Sequence, residues 1–130
     1  MQLRVLKLEL ESQHRRELLS VKQGLYGRFL GECHGAYAKV VNVRHLSDRN
    51  SEEGKSKLQA AEEALERLGA LHGEIAVLTD PHLAAETLRL VADLWEGLSE
   101  RSGIDDSGAI KRLGGITVAM QRELKVAVGT

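Results

Sequence analysis

The chain has 130 residues, 42% of them hydrophobic and 28% charged, with a formal net charge of −1; that length fits one domain with a real core. A single proline, Pro81, only 3% aromatic residues and an abundance of Leu, Ala, Glu and Arg argue against a sheet protein and for helix, where unbranched side chains lose little rotamer freedom. One cysteine, Cys33, excludes an intramolecular disulfide, and no apolar run approaches the ~20 residues that span a membrane.

A cytoplasmic setting is therefore expected. Arg4, Lys7 and Glu9 interrupt the opening residues, so no signal peptide is expected either.

The apolar spacing predicts four helices. The first runs from Ser12, or from the very start of the chain, to about His45. Its stripe is Tyr26, Phe29, Leu30, Cys33, Tyr37, Val40 and Val43, at three- and four-residue intervals. The polar cluster Ser47-Asp48-Arg49-Asn50 reads as a turn. The second helix starts at Asn50 or Ser51, and Asn50 with Glu53 has the spacing of a capping box. Its stripe continues through Leu58, Ala61, Leu65, Leu68, His72 and Ile75.

Asp80-Pro81 announces the third helix, with Asp80 as its cap and Pro81 in its first position. Leu83, Thr87, Leu90, Val91, Leu94, Trp95 and Leu98 form its face, and Ser102-Gly103 is expected to close it. A loop through Asp105-Asp106-Ser107 leads to the fourth helix. There Ile110, Leu113, Ile116 or Thr117, Met120, Leu124 and Ala127 recur at the same intervals. Short connections between long helices predict an all-α, antiparallel up-down bundle in a single domain.

Two segments also fit strands. Leu6, Leu8 and Leu10 alternate, and Gly73 to Pro81 resembles a strand entering a helix. Two strands make a poor sheet, and Ile75 and Leu78 keep the helical phase, so helix is expected at both. At ~1.5 Å per residue the first helix reaches about 50 Å or more, against ~30 Å for each of the last two. The excess, with Leu3, Leu6, Leu10, Leu18 and Leu19, must pack on something else, fray, or belong to a shorter separate element.

No chemistry declares itself. His14, His34, His45, His72 and His82 form no paired ligand set on one helix face. Cys33 and His34 are adjacent, so on a helix they diverge by about 100° and do not share a metal. Gly114-Gly115 lacks the lysine-serine that follows a phosphate loop. No catalytic residue, metal or cofactor is expected, and the chain reads as a non-enzyme.

Charge and glycine are less ordinary. Residues 1–49 carry nine Lys/Arg against five acids (+4), residues 50–106 five against thirteen (−8) and residues 107–130 four against one (+3). The plain reading is internal complementarity, basic first and fourth helices beside acidic second and third ones. The functional reading is a basic face, with Arg15, Arg16, Lys22 and Arg28, set against an anionic membrane surface or nucleic acid. A pI near 6.5 and no interleaved aromatics weigh against nucleic acid. Gly24, Gly27, Gly31 and Gly35 fall in the first helix, each costing up to ~1 kcal/mol relative to alanine. Gly27, Gly31 and Gly35 cluster on one side, which would let another helix approach closely; a locally broken or merely exposed helix is the competing reading.

Leu25-Tyr26-Gly27-Arg28-Phe29-Leu30 with His34 and Tyr37, Ala76-Val77-Leu78-Thr79-Asp80-Pro81, and Ala119-Met120-Gln121-Arg122-Glu123-Leu124 resemble a recurrent group of uncharacterised actinobacterial helical-bundle proteins of unknown function. The resemblance covers most of residues 22–126. It implies an all-helical bundle, in many members preceded by an N-terminal membrane anchor that this chain does not show, and it assigns no residue a role.

Two functions are expected from these observations. One is a helical interaction or scaffold protein forming a homodimer, or docking a protein partner, through Leu3, Leu6, Leu10 and Leu18 with Gly27, Gly31 and Gly35. The other is the basic-faced module in peripheral contact with an anionic surface.

Overall fold

The computed structural model describes residues 2–46, 48–99 and 106–129. Within them lie four helices and no strand: α1 (Gln2–Arg44), α2 (Glu52–Leu78), α3 (Pro81–Ser99) and α4 (Asp106–Gly129). The fold is an all-α helical bundle, with 93% of the described residues helical. Residues 3–10 and 74–78 are helix: Ile75 and Leu78 keep the apolar phase of α2, residues 3–10 continue α1 without a break, and a strand at either place would have no ladder partner. Ser102, Gly103 and Asp105, expected between α3 and α4, lie outside the described residues, as does the side chain of Ala127.

The helix ends follow local chemistry. Asp80 caps α3 as its spacing implies: its carboxylate accepts from the Leu83 amide at 3.0 Å, and Pro81 occupies the first turn, where a missing N–H costs nothing. The cap of α2 lies one residue later than the Asn50–Glu53 pairing suggests. Ser51 is the N-cap; its Oγ accepts from the Gly54 amide at 3.0 Å and donates to the Asp48 carbonyl at 2.9 Å. The Asp48 carboxylate in turn accepts from the Asn50 amide at 2.8 Å. Asn50 is therefore part of the turn rather than the cap. Gly54 is buried beneath that turn, and a Cβ there would sit 2.5 Å from the Asp48 carbonyl oxygen, so only glycine admits this approach.

The core is one cluster. Its largest buried side chains include Tyr26, Phe29, Val40 and Val43 of α1, Leu65, Leu68 and Ile75 of α2, Leu83 and Leu94 of α3, and Ile116 and Met120 of α4. Helix α1 touches all three others, α2 packs on α3, and α3 packs on α4. Paired positions run in opposite numerical order along α1 and α4: Lys22 and Tyr26 meet Glu123, while Cys33 and Tyr37 share a cleft with Ile110 and Leu113. That is the order an antiparallel pair has.

Two expected core residues face outward. Trp95 is 37% exposed and Ile110 58% exposed. Each follows the residue that takes the buried position, Leu94 and Ala109 respectively, and one residue on a helix is a turn of about 100°.

Helix α1 runs 43 residues against 27, 19 and 24 for the others. At ~1.5 Å per residue that is about 64 Å, against roughly 40, 28 and 36 Å. The bundle consumes only part of it. Every residue from Leu3 to Leu18 is exposed, Leu19 is half-buried, and Leu25 is the first buried residue of the chain. Residues 2–18 thus form an arm beyond the core.

Sequence periodicity explains why burial stops there. Eighteen residues are five whole turns of helix, so Glu11 lies on the same line of α1 as Phe29, Arg15 on that of Cys33, and Arg4 on that of Val40. The line that is apolar in the bundle is charged in the arm. Extending the core along it would bury ions without partners.

Candidate functional site

The arm is where unpartnered apolar surface concentrates. Leu3 (84% exposed), Leu6 (54%) and Leu10 (65%) stand in water, and Val21 is still 55% exposed where the arm joins the bundle. With about 100° between successive residues, Leu3, Leu10, His14 and Val21 fall within a sector of about 40°, flanked by Leu6 and Leu18. Leu3 and Val21, eighteen residues apart, share one line. Farther along α1 the same sector carries Arg28 and Glu32, which line a shallow cleft with Arg67, Leu71 and Glu74 of α2. The arm's stripe is therefore the side of α1 on which α2 packs, continued past the end of α2.

The glycines are elsewhere. Helix α1 is unbroken through Gly24, Gly27, Gly31 and Gly35, all four are exposed, and a Cβ at any of them would meet nothing within 4 Å. Gly27, Gly31 and Gly35 centre roughly 70° around the helix from the leucine stripe, alongside the bundle rather than the arm. They lie apart from the arm's leucines along the helix, although Leu6 points in the direction of Gly31 and Gly35.

The four basic residues do not make one face. Arg15, Arg16, Lys22 and Arg28 point in directions spread around most of the helix circumference. Lys22 is moreover occupied: its Nζ donates to Glu123 Oε1 at 2.7 Å, with side chains only 18% and 22% exposed. Arg15 and Arg16 are exposed on the arm.

Glu123 is the polar node of the bundle, and sequence spacing gives no hint of it. Besides Lys22, its carboxylate accepts from the Tyr26 hydroxyl at 2.8 Å and from Thr79 Oγ1 at 2.9 Å. Burial pushes this carboxyl up, but the three donors and the Lys22 charge outweigh it and hold its pKa below the usual value. Tyr26 is pushed well above its ordinary value, first by burial and then by the acceptor it faces. The three donors come from α1 and from the α2–α3 turn, so one carboxylate fastens three parts of the fold at the base of the arm.

Interhelical charge contacts honour complementarity only in part. Arg112 of α4 meets Asp93 at 2.9 Å and Glu86 at 3.2 Å on α3, basic segment to acidic. The Lys22–Glu123 bridge instead joins the two basic segments, and Arg67 of the acidic segment meets Glu32 of α1 at 3.6 Å.

The nucleophile candidates are quiet. Cys33 is 1% exposed, and burial, then the Glu32 charge, pushes its thiol up to about 12, so it stays protonated near neutral pH. It lies at the floor of an apolar cleft of about 280 Å³ between α1, α3 and α4, lined also by His34, Tyr37, Leu90 and Leu94. His72 is held neutral by burial, and its Nδ1 lies 2.8 Å from Thr87 Oγ1. The Thr87 hydroxyl donates to the Ala84 carbonyl at 2.9 Å, so it accepts from His72, which fixes the Nδ1–H tautomer. Among the described residues no group of three His, Cys, Asp or Glu could hold a metal, and no helix is long and apolar enough to cross a membrane. Comparison with known proteins found no matching family model, curated protein or solved structure.

Proposed function

We propose that this protein is a non-enzymatic helical scaffold that self-associates as a homodimer through the arm of α1, in a cytoplasmic setting. The observation that carries this reading is an apolar stripe, Leu3, Leu6, Leu10, Leu18 and Val21, on a helix that outruns its own bundle. Monomers rarely leave such a stripe open, and a two-fold pair covers it with one surface used twice.

Magnitudes set the strength of the pair. A Leu or Val side chain contributes roughly 1.5–3 kcal/mol when fully buried, so ten of them, five per copy and about half covered, supply about 8–15 kcal/mol. Association costs roughly 4–15 kcal/mol in lost freedom. The two are comparable, so the dimer is concentration-dependent rather than obligate.

Size-exclusion chromatography with light scattering tests it. The chain should approach dimer mass at high micromolar concentration, and Leu6→Glu with Leu10→Glu should return it to monomer mass with helix content unchanged. A dimer indifferent to both substitutions would remove the arm as its cause. Association driven instead by Arg4, Lys7, Arg15 and Arg16 on an anionic surface would appear as vesicle or duplex binding that falls steeply with salt. Lys22, held by Glu123, is subtracted from that alternative.

A further inference from the structure

Resting on the self-association just proposed, the geometry points to an antiparallel pairing of two arms, with Leu3 of one copy level with Val21 of the second. The stripe on the α2 side of the arm runs from Leu3 to Val21, five turns on a single line of the helix. Turning a second copy end for end about the middle of that line sets apolar against apolar. Leu3 meets Val21 of the second copy, Leu10 comes level with its His14, and Leu6 and Leu18 close the flanks.

The charges discriminate between orientations. In this register Lys7 comes level with Glu17 of the second copy, both within about 40° of the stripe, and no like charges coincide. A parallel in-register pair would instead place Lys7 and Glu17, the two charges nearest the stripe, each level with its own duplicate, a repulsive arrangement at both levels. The bundle adds a second reason. Helix α2 occupies this side of α1 as far as the Val21 region and ends at Leu78. In the antiparallel register the second arm continues the line of α2, its N-terminal end toward the C-terminal end of α2, so opposite helix-dipole ends face each other. The two bundles then stand at opposite ends of the paired arms and do not collide.

Cysteine cross-linking reads the orientation. Leu3→Cys and Val21→Cys are made separately and mixed, with the native chain as control because Cys33 is buried. Light scattering under reducing conditions first establishes that native protein and variants are dimeric. In the antiparallel register two copies of position 3 lie about 27 Å apart, beyond the ~7 Å Cα separation that a disulfide spans. Mild oxidation should therefore give the mixed Leu3→Cys/Val21→Cys disulfide at least about tenfold over either homodisulfide. Leu6→Cys with Leu18→Cys provides a second pair should the first weaken the dimer.

Homodisulfides from either variant alone would mean a parallel pair and overturn the register while leaving self-association standing. A dimer that forms no cross-link with either pair would place the interface off the stripe and overturn the register as well. Native protein that remains monomeric at high micromolar concentration would overturn the self-association on which it rests.

Discussion

At the scale of single residues, the side chain that organises this fold is Glu123. Its Lys22, Tyr26 and Thr79 donors lie far from it in sequence, Lys22 by 101 positions and Tyr26 by 97. Nothing in local spacing marks it, which is why periodicity brings out the neighbouring Leu124 and passes over the carboxylate. Gly54 is invisible for the same reason: its value lies in the Asp48 carbonyl folded over it. The apolar line of α1 is the opposite case, legible in its main positions because 3.6-residue spacing encodes them directly, although Leu25 and Ala36, also buried, flank the expected stripe. Removing the Glu123 carboxylate leaves the half-buried Lys22 ammonium and the Tyr26 hydroxyl without an acceptor. Hydrogen bonds to charged groups contribute roughly 1.5–3 kcal/mol each, and the partial exposure of this site favours the low end. Glu123→Ala should cost about 2 kcal/mol in urea unfolding, and Tyr26→Phe, which leaves two donors in place, about 1 kcal/mol. Equal costs would mean that Lys22 and Thr79 add nothing.

At the scale of elements, the four helices and the Asp80 cap follow from patterns the sequence displays, whereas the faces of Trp95 and Ile110 do not. Each stands beside a residue equally suited to burial, and only the position of the neighbouring helices decides which turns inward. The arm is legible as a first helix that outruns its bundle, but sequence leaves open whether the excess packs elsewhere, frays, forms a separate element or projects, since a solitary segment of about 17 residues is marginal in water. Here the bundle supplies the nucleus, and the arm propagates from Leu19 outward without bearing the cost of starting a helix. Because residues 3–18 bury nothing in their own bundle, the bundle should not need them. A chain beginning at residue 19 should keep its thermal midpoint within about 4 °C of the full chain under monomeric conditions, the shift that ~1 kcal/mol would produce. A larger loss would show that the arm folds back on the core.

At the scale of the whole molecule, pH bears on the bundle through two groups on the acid side. Burial holds His72 below its ordinary 6.5. As pH falls through ~6.5 the unfolded chain takes up a proton that the fold refuses, so stability declines from there downward. Glu123 is held below its ordinary 4.5; its contribution is complete above that value and is lost as pH falls through the lowered one. The thermal midpoint should thus be level from about pH 8 to 7, decline below about 6.5, and fall further below about 4.5, while the raised Cys33 thiol makes it decline again as pH rises through about 9. His72→Asn, which retains a donor for Thr87, should flatten the first decline alone. A midpoint rising between pH 7 and 5 would contradict the assignment of His72 as a buried neutral imidazole.

Association is the whole-molecule property that gives the exposed stripe its meaning, and sedimentation velocity tests it most directly. The full chain and a chain beginning at residue 19 are compared from low to high micromolar concentration. The full chain should shift from monomer to an elongated dimer over that range, while the shortened chain stays monomeric throughout. A full chain that remains monomeric, or a shortened chain that dimerises equally well, would contradict association through the arm.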